Sequence, residues 1–168
     1  FLQVLDGLAY AHRNGIIHRD LKPSHIMLCP ITADGASSLQ IKLLDFGIAK
    51  SINKSYGNLH RDNAAKPSET QSADAFGSPV YMSPEQSLGS AVDQRTDIYS
   101  IGCCLFETLT GFVPFDAQTT LEISKLHQYA EPPKLADALP QKRFTQSIEH
   151  VVQKCLAKSP DDRYQSAK

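Results

Sequence analysis

Ile16-Ile17-His18-Arg19-Asp20-Leu21-Lys22-Pro23-Ser24-His25-Ile26-Met27-Leu28 is the stretch whose reading decides the fold. It sets one aspartate among basic side chains in a turn stiffened by Pro23, with apolar residues on both sides. Ile16-Ile17, the polar turn and Ile26-Met27-Leu28 predict strand, loop and strand. Strands on both sides would hold such a loop rigidly at a surface, where a catalytic group belongs. A second acidic turn, Leu43-Leu44-Asp45-Phe46-Gly47, follows one short strand later.

Working outward, Phe1 to Asn14 has apolar residues spaced for a helix, and Gly15 supplies a stop that enters the left-handed conformation without strain. Pro30 to Gln40 contains Asp34-Gly35 and predicts a hairpin loop, with Ile41 to Leu44 as the return strand. Ser51 to Ala75, rich in Ser, Asn, Asp, Lys and Ala, predicts a long mobile loop. Order is expected again from Gly77. Thr96 to Leu109 predicts a helix apolar on nearly every side, stopped by Gly111 and suited to the centre of the core. Helices over Thr119 to Tyr129 and Phe144 to Lys158, and one opening at Ser159-Pro160-Asp161, complete a mainly helical set.

A chain of 168 residues, 41% hydrophobic and 21% charged, is long enough to bury one good core and has the composition of a globular domain. With a net charge of −1 nothing suggests a nucleic-acid or membrane-surface partner on electrostatic grounds, and no nucleic-acid partner is expected. The four cysteines form no Cys-x-x-Cys pair and predict free buried thiols in a reducing, cytoplasmic setting. The longest apolar run, near Ile101 to Phe106, is too short for a membrane segment. No signal peptide is visible. The chain opens on Phe1 in mid-helix pattern and reaches Lys168 as another helix begins, which predicts a piece of a longer polypeptide in which a membrane anchor could lie beyond either end.

An isolated loop aspartate is ordinarily a turn former or a helix cap. Two of them in this order are more specific. Asp20 in His18-Arg19-Asp20-Leu21, with Lys22 beyond it, and Asp45 in Asp45-Phe46-Gly47 resemble the catalytic loop and metal-binding loop of protein kinases. Ser83-Pro84-Glu85 stands where that family has Ala-Pro-Glu, and Asp97 to Gly102 is similar to its buried helix. Arg163 in Asp161-Asp162-Arg163-Tyr164 resembles the arginine that pairs with the glutamate, here Glu85. Lys22 and the Gly77-Ser78 segment resemble the serine/threonine-specific branch, and the flanking residues are similar to bacterial members.

The resemblance implies an α+β, mainly helical fold over residues 1–168. It is the C-terminal lobe of the kinase domain, with a short β-hairpin pair carrying the two loops and an activation segment at about 45–85. It implies transfer of the ATP γ-phosphate to Ser or Thr hydroxyls of protein substrates, with Mg²⁺ or alternatively Mn²⁺. Asp20 would accept the hydroxyl proton and Lys22 would place positive charge at the transferring group. Lys22, Ser24, Met27 and Asp45 would face the nucleotide, Met27 under the adenine and Asp45 on the metal. His18 and Phe46 are implied to pack in an internal stack. Arg19 is implied to receive a regulatory phosphate, with Ser68, Thr70 and Ser72 as acceptors, while Ser78 would contact the catalytic loop.

Two features depart from the family. His25 stands at the position of an asparagine that helps bind metal, and imidazole is a nitrogen donor that suits Zn²⁺ or Mn²⁺ better than Mg²⁺. The 168 residues also contain no Gly-rich phosphate loop and no Val-Ala-Ile-Lys strand, so a partner lobe in cis is expected to supply them. Without it the chain is expected to bind ATP poorly, to transfer no phosphate and to expose an apolar face. Two alternatives accompany the kinase reading: a pseudokinase scaffold of the same fold, and a non-kinase metal site built from His18, Asp20 and His25.

Overall fold

The computed structural model describes residues 1–33, 36–46 and 79–168. In chain order these form α1 (Leu2–Arg13), β1 (Ile26–Ala33), β2 (Ala36–Leu43), α2 (Pro84–Ser87), α3 (Arg95–Thr110), α4 (Thr120–Tyr129), α5 (Leu135–Ala138) and α6 (Gln146–Cys155). Short 3₁₀ turns lie at Pro23–His25, Pro79–Tyr81 and Pro160–Asp162.

The central element is α3. Its residues Thr96 to Cys104, Phe106 and Thr110 are all buried, which accounts for the near-absence of a polar face in its sequence. Gly111 ends it at φ 84°, and its N–H reaches the Glu107 carbonyl at 2.7 Å. Two apolar clusters flank this helix. Ile101 and Cys104 pack with Val4, Leu8 and Ala9 of α1 and with Leu21 of the catalytic loop. Tyr99, Cys103 and Phe106 pack with Leu135, Val152 and Leu156 on the other side. Each fully buried Leu or Phe in these clusters contributes about 1.5–3 kcal/mol. The same helix therefore fixes α1, the catalytic loop and the C-terminal helices to one another.

β1 and β2 form one antiparallel ladder, running from Ile26 opposite Leu43 to Ala33 opposite Ala36. The strands thus run on through most of the stretch expected to be a loop, and only Asp34 and Gly35 separate them. The Asp-Gly pair is a two-residue hairpin signal, and β-branched Ile31 and Thr32 continue the ladder up to it. Pro30 is accommodated opposite Leu39 because among the described residues β1 pairs with β2 alone, so its outer edge calls for no N–H. Ile26, Ile41 and Leu43 pack on the first cluster, whereas Met27, Leu28, Ile31 and Leu39 remain exposed.

Three further expectations need correction. Ile16 and Ile17 form no strand: Ile16 N–H is taken by the Ala11 carbonyl, and no neighbouring strand is present among the described residues. The last long helix begins at Gln146, capped by the Thr145 hydroxyl, and ends at Cys155 rather than Lys158. Ala157 N–H bonds the Lys154 carbonyl three residues back instead of four, and the carbonyls of Ala157 and Lys158 accept from the Arg163 guanidinium. Ser159-Pro160-Asp161 opens only a 3₁₀ turn before the buried Arg163. Cys103, Cys104 and Cys155 are buried free thiols, and burial pushes Cys104 and Cys155 up to about 12, while Cys29 is half-buried on the hairpin. Residues 51–75, expected to be a mobile loop, lie outside the described residues.

Two stability tests follow from this packing. At Gly102 an added Cβ would meet Cys155 Cβ at 2.7 Å, between α3 and α6. Gly102→Ala is expected to lower unfolding free energy by about 1–3 kcal/mol in urea titration, as overpacking does. His127 is fully buried, its Nδ1 2.8 Å from the Tyr99 hydroxyl, and burial followed by the nearby Lys158 charge brings it down from 6.5 to about 4. The folded state holds this ring neutral, so the unfolded chain binds the extra proton between those two values. Stability is therefore expected to fall as pH drops from 6.5 to about 4, and His127→Gln is expected to flatten that limb in urea melts.

Candidate active site

The catalytic loop is held by one buried carboxylate. Asp97, in the first turn of α3, accepts the His18 N–H at 2.9 Å, the Arg19 N–H at 2.8 Å and His12 Nε2–H at 2.7 Å. Its position near a helix N-terminus also suits a negative charge. These bonds fasten the loop through Arg19, whose φ of 65° is left-handed and uncommon for a non-glycine residue. A second tie comes from Gln86 of α2, whose Nε2 donates to the Arg19 carbonyl at 2.7 Å. Gln86 and Ser83 also close a capping box, so α2 begins at the loop it supports.

His18 is fully buried and lies against Phe46, with ring centroids 4.6 Å apart. Its Nε2–H donates to the Leu44 carbonyl at 2.8 Å, which leaves Nδ1 to accept the Asp20 N–H at 3.4 Å. Burial lowers its pKa and keeps it neutral. Both nitrogens are thus engaged by backbone, and among the described residues no group of three or more His, Cys, Asp or Glu could hold a metal ion. The metal site of His18, Asp20 and His25 is excluded on these grounds.

The second acidic turn reaches the first through the hairpin. Leu44 N–H donates to the His25 carbonyl at 2.9 Å, extending the pairing by one step beyond the ladder. Asp45 follows at φ 52°, another left-handed residue, with its side chain 81% exposed. Lys22 Nζ lies 3.9 Å from Asp20 Oδ2. His25 lies between the acids, Nδ1 at 3.8 Å from Asp20 Oδ2 and Nε2 at 3.8 Å from Asp45 Oδ2. Nδ1 also sits 2.7 Å from the Asp20 carbonyl oxygen. Asp20, Lys22, His25 and Asp45 are therefore one constellation, drawn from two turns and joined across the base of the hairpin. Ser24 is exposed on the turn beside it, and Met27 is 47% exposed at the start of β1.

Glu85 and Arg163 form a separate buried centre. The guanidinium donates to both carboxylate oxygens, at 2.7 and 2.8 Å, and to the carbonyls of Arg95, Ala157 and Lys158. Its Cζ stands 4.8 Å from the Tyr99 ring centroid. Thr96 donates its hydroxyl to Glu85 at 2.8 Å and is 2.7 Å from the Ser83 hydroxyl. Burial by itself would raise the Glu85 pKa, but the hydrogen bonds and charge of Arg163 outweigh it and hold the carboxyl below its usual range.

Four supporting residues had not been singled out from sequence. His12 falls on an unremarked helix face, and only the fold brings it to Asp97. Gln86 carried a readable signal, the Ser-x-x-Gln capping box beginning at Ser83. Tyr81 and Glu107, paired at 2.7 Å between hydroxyl and carboxylate, carried none. Ser68, Thr70, Ser72 and Ser78, together with Gly47, lie outside the described residues.

Residues 1–168 match the protein kinase domain. The chain belongs to that family. It is 39% identical over 160 residues to serine/threonine-protein kinase PknB of Mycobacterium tuberculosis, covering 95% of this chain and 22% of the relative. With serine/threonine-protein kinase pkn3 of Myxococcus xanthus it shares 38% over 165 residues, 98% of this chain and 28% of the relative. A probable serine/threonine-protein kinase of Streptomyces coelicolor, SCO3848, is 39% identical over 166 residues, 98% of this chain and 22% of its own length. Each of these relatives is named a serine/threonine-protein kinase, and the chain spans roughly a quarter of their length. No helix among the described residues is long and apolar enough to cross a membrane.

Removing Arg163 would leave the Glu85 carboxylate buried without its counter-charge. Arg163→Met is expected to cost about 3–5 kcal/mol in urea unfolding, and adding Glu85→Gln to recover part of it. Because the folded pKa of Glu85 is depressed, its contribution is present above the ordinary carboxylate range and lost as pH falls through the folded value. The acid-side slope of stability is expected to be shallower in the double variant.

Proposed function

We propose that this chain is the C-terminal-lobe portion of a protein kinase that transfers the ATP γ-phosphate to Ser or Thr hydroxyls of protein substrates. The observation that carries the reading is the convergence of Asp20, Lys22 and Asp45 on one face, with the loop behind them tied down by Asp97. Phosphoryl transfer asks for positioning and charge neutralisation more than covalent chemistry, and rigid backing supplies the first. Asp20 orients the substrate hydroxyl and accepts its proton as its oxygen bonds to the γ-phosphorus and the bond from that phosphorus to the leaving ADP breaks. Lys22 places a positive charge beside Asp20, where the transferring phosphoryl group carries negative charge. Ser24 and Met27 border the nucleotide, Met27 giving an apolar surface to the adenine.

Asp45 and His25 are the residues that would hold a divalent cation. An exposed carboxylate beside a half-buried imidazole fits one, because both present lone pairs toward a shared space. Bound there, the cation neutralises phosphate charge. Arg19 gives support to regulation by phosphate: its Nε is buried with no hydrogen-bond partner among the described residues, a donor suited to an anionic group. Ser68, Thr70 and Ser72 are the proposed acceptors. The exposed apolar residues of the hairpin suit a packing surface for a nucleotide-binding lobe in cis.

The His25 substitution favours a second reading, a pseudokinase scaffold that binds partners without transfer. Phosphorylation of a serine peptide separates the two. Fused behind a lobe that carries a Gly-rich loop and strand lysine, the chain is expected to transfer phosphate, and Asp20→Asn to slow transfer about 10²–10⁴-fold. A fusion that binds ATP and transfers nothing would establish the scaffold. The unfused chain is expected to be inactive.

A further inference from the structure

Both ring nitrogens of His25 have definite roles. A carbonyl oxygen can only accept, so the 2.7 Å contact with the Asp20 main chain places the proton on Nδ1. In the neutral ring the lone pair is then on Nε2, the atom that faces Asp45 Oδ2 at 3.8 Å. The ring cannot readily turn away. Its side chain is 12% exposed, it stands 5.9 Å from the His18 ring centroid, and the Asp20 carboxylate lies 3.8 Å from Nδ1. A metal-binding imidazole is ordinarily held in this way, one nitrogen donating to a carbonyl or carboxylate and the other directed at the ion.

Resting on the reading of Asp45 as an ion ligand, we propose that His25 Nε2 and the Asp45 carboxylate form a mixed nitrogen and oxygen pair that selects Mn²⁺ over Mg²⁺. Mg²⁺ is a hard cation that sheds water reluctantly and takes oxygen ligands, so a nitrogen in its shell is a poor exchange for water. Mn²⁺ also takes carboxylate and phosphate oxygens, and as a first-row transition ion it accepts an imidazole nitrogen in its shell more readily than Mg²⁺ does. Among the described residues the chain supplies these two ligands. Phosphate oxygens and water complete the shell, which disfavours a soft ion that would require more nitrogen or sulfur. The substituted residue is therefore a selectivity element and not simply a damaged metal ligand.

Direct metal binding tests this without reference to catalysis. The electron paramagnetic resonance signal of free Mn²⁺, titrated into the chain fused behind a nucleotide-binding lobe, with and without ADP and in competition with Mg²⁺, gives both affinities. Wild type is expected to prefer Mn²⁺, and His25→Asn to cut that preference about tenfold or more, since losing even a residue that only orients a ligand costs that much affinity. His25→Gln serves as the second variant, and both are to be checked for a native circular dichroism spectrum. An unchanged ion ratio in the folded variants overturns the proposal, as does the absence of Mn²⁺ binding to wild type. Nitrogen-15 spectra of labelled histidine are expected to show the Nδ1–H tautomer at His25, and an Nε2–H tautomer also overturns it. Asp45→Asn tells the two readings apart. If it weakens neither ion, the assignment of Asp45 itself fails; if it weakens both while the His25 variants keep the wild-type ratio, selectivity alone fails.

Discussion

The carboxylate of Asp97 is the constraint on which the site depends. It is fully buried, and it is stabilised there because three donors converge on it, two from the catalytic-loop backbone and one from α1. A buried charge without such partners would be strongly unfavourable, and with them it becomes a rigid junction. The junction holds Arg19 in a left-handed conformation that a free chain would rarely populate, and so aims Asp20 at the surface. Loop geometry, core helix and α1 cannot be varied independently around it.

A second buried charge performs a different task. The Glu85 and Arg163 pair joins the short α2 to the end of the described chain, with the Ala157 and Lys158 carbonyls as further acceptors of the guanidinium. Its Arg163 also lies over Tyr99 of α3, so both charged centres are anchored on the same helix. Through Ser83 and Thr96, α2 is tied to α3 as well, and Gln86 carries that tie back to the catalytic loop. Support for the acid thus arrives from two directions, through Asp97 and through Gln86.

Much of this was readable from residue types. Gly15 and Gly111 mark two helix ends because both adopt positive φ, and the all-round apolar pattern of α3 marks its burial. Asp20, Lys22 and Asp45 stand out in the sequence because two acidic turns in order form a specific motif. The hairpin was read too short, since a polar composition hid a ladder that runs up to Asp34-Gly35. Ile16-Ile17 was read as a strand from β-branching alone, where no partner strand exists to pair with it among the described residues. Propensity acts locally, whereas a strand needs a neighbour.

Sequence by itself determined the family, the core helix and the residues of the two acidic turns, because each is recorded in local spacing and residue chemistry. Tertiary structure alone decided how those residues are held. His12, Asp97 and the catalytic loop come together from positions as far as 85 residues apart, a proximity no local pattern encodes. It also decided what His25 is. In the sequence it was a substitution at a metal position; in the fold, a backbone carbonyl takes one nitrogen and directs the other at Asp45, because that oxygen can only accept.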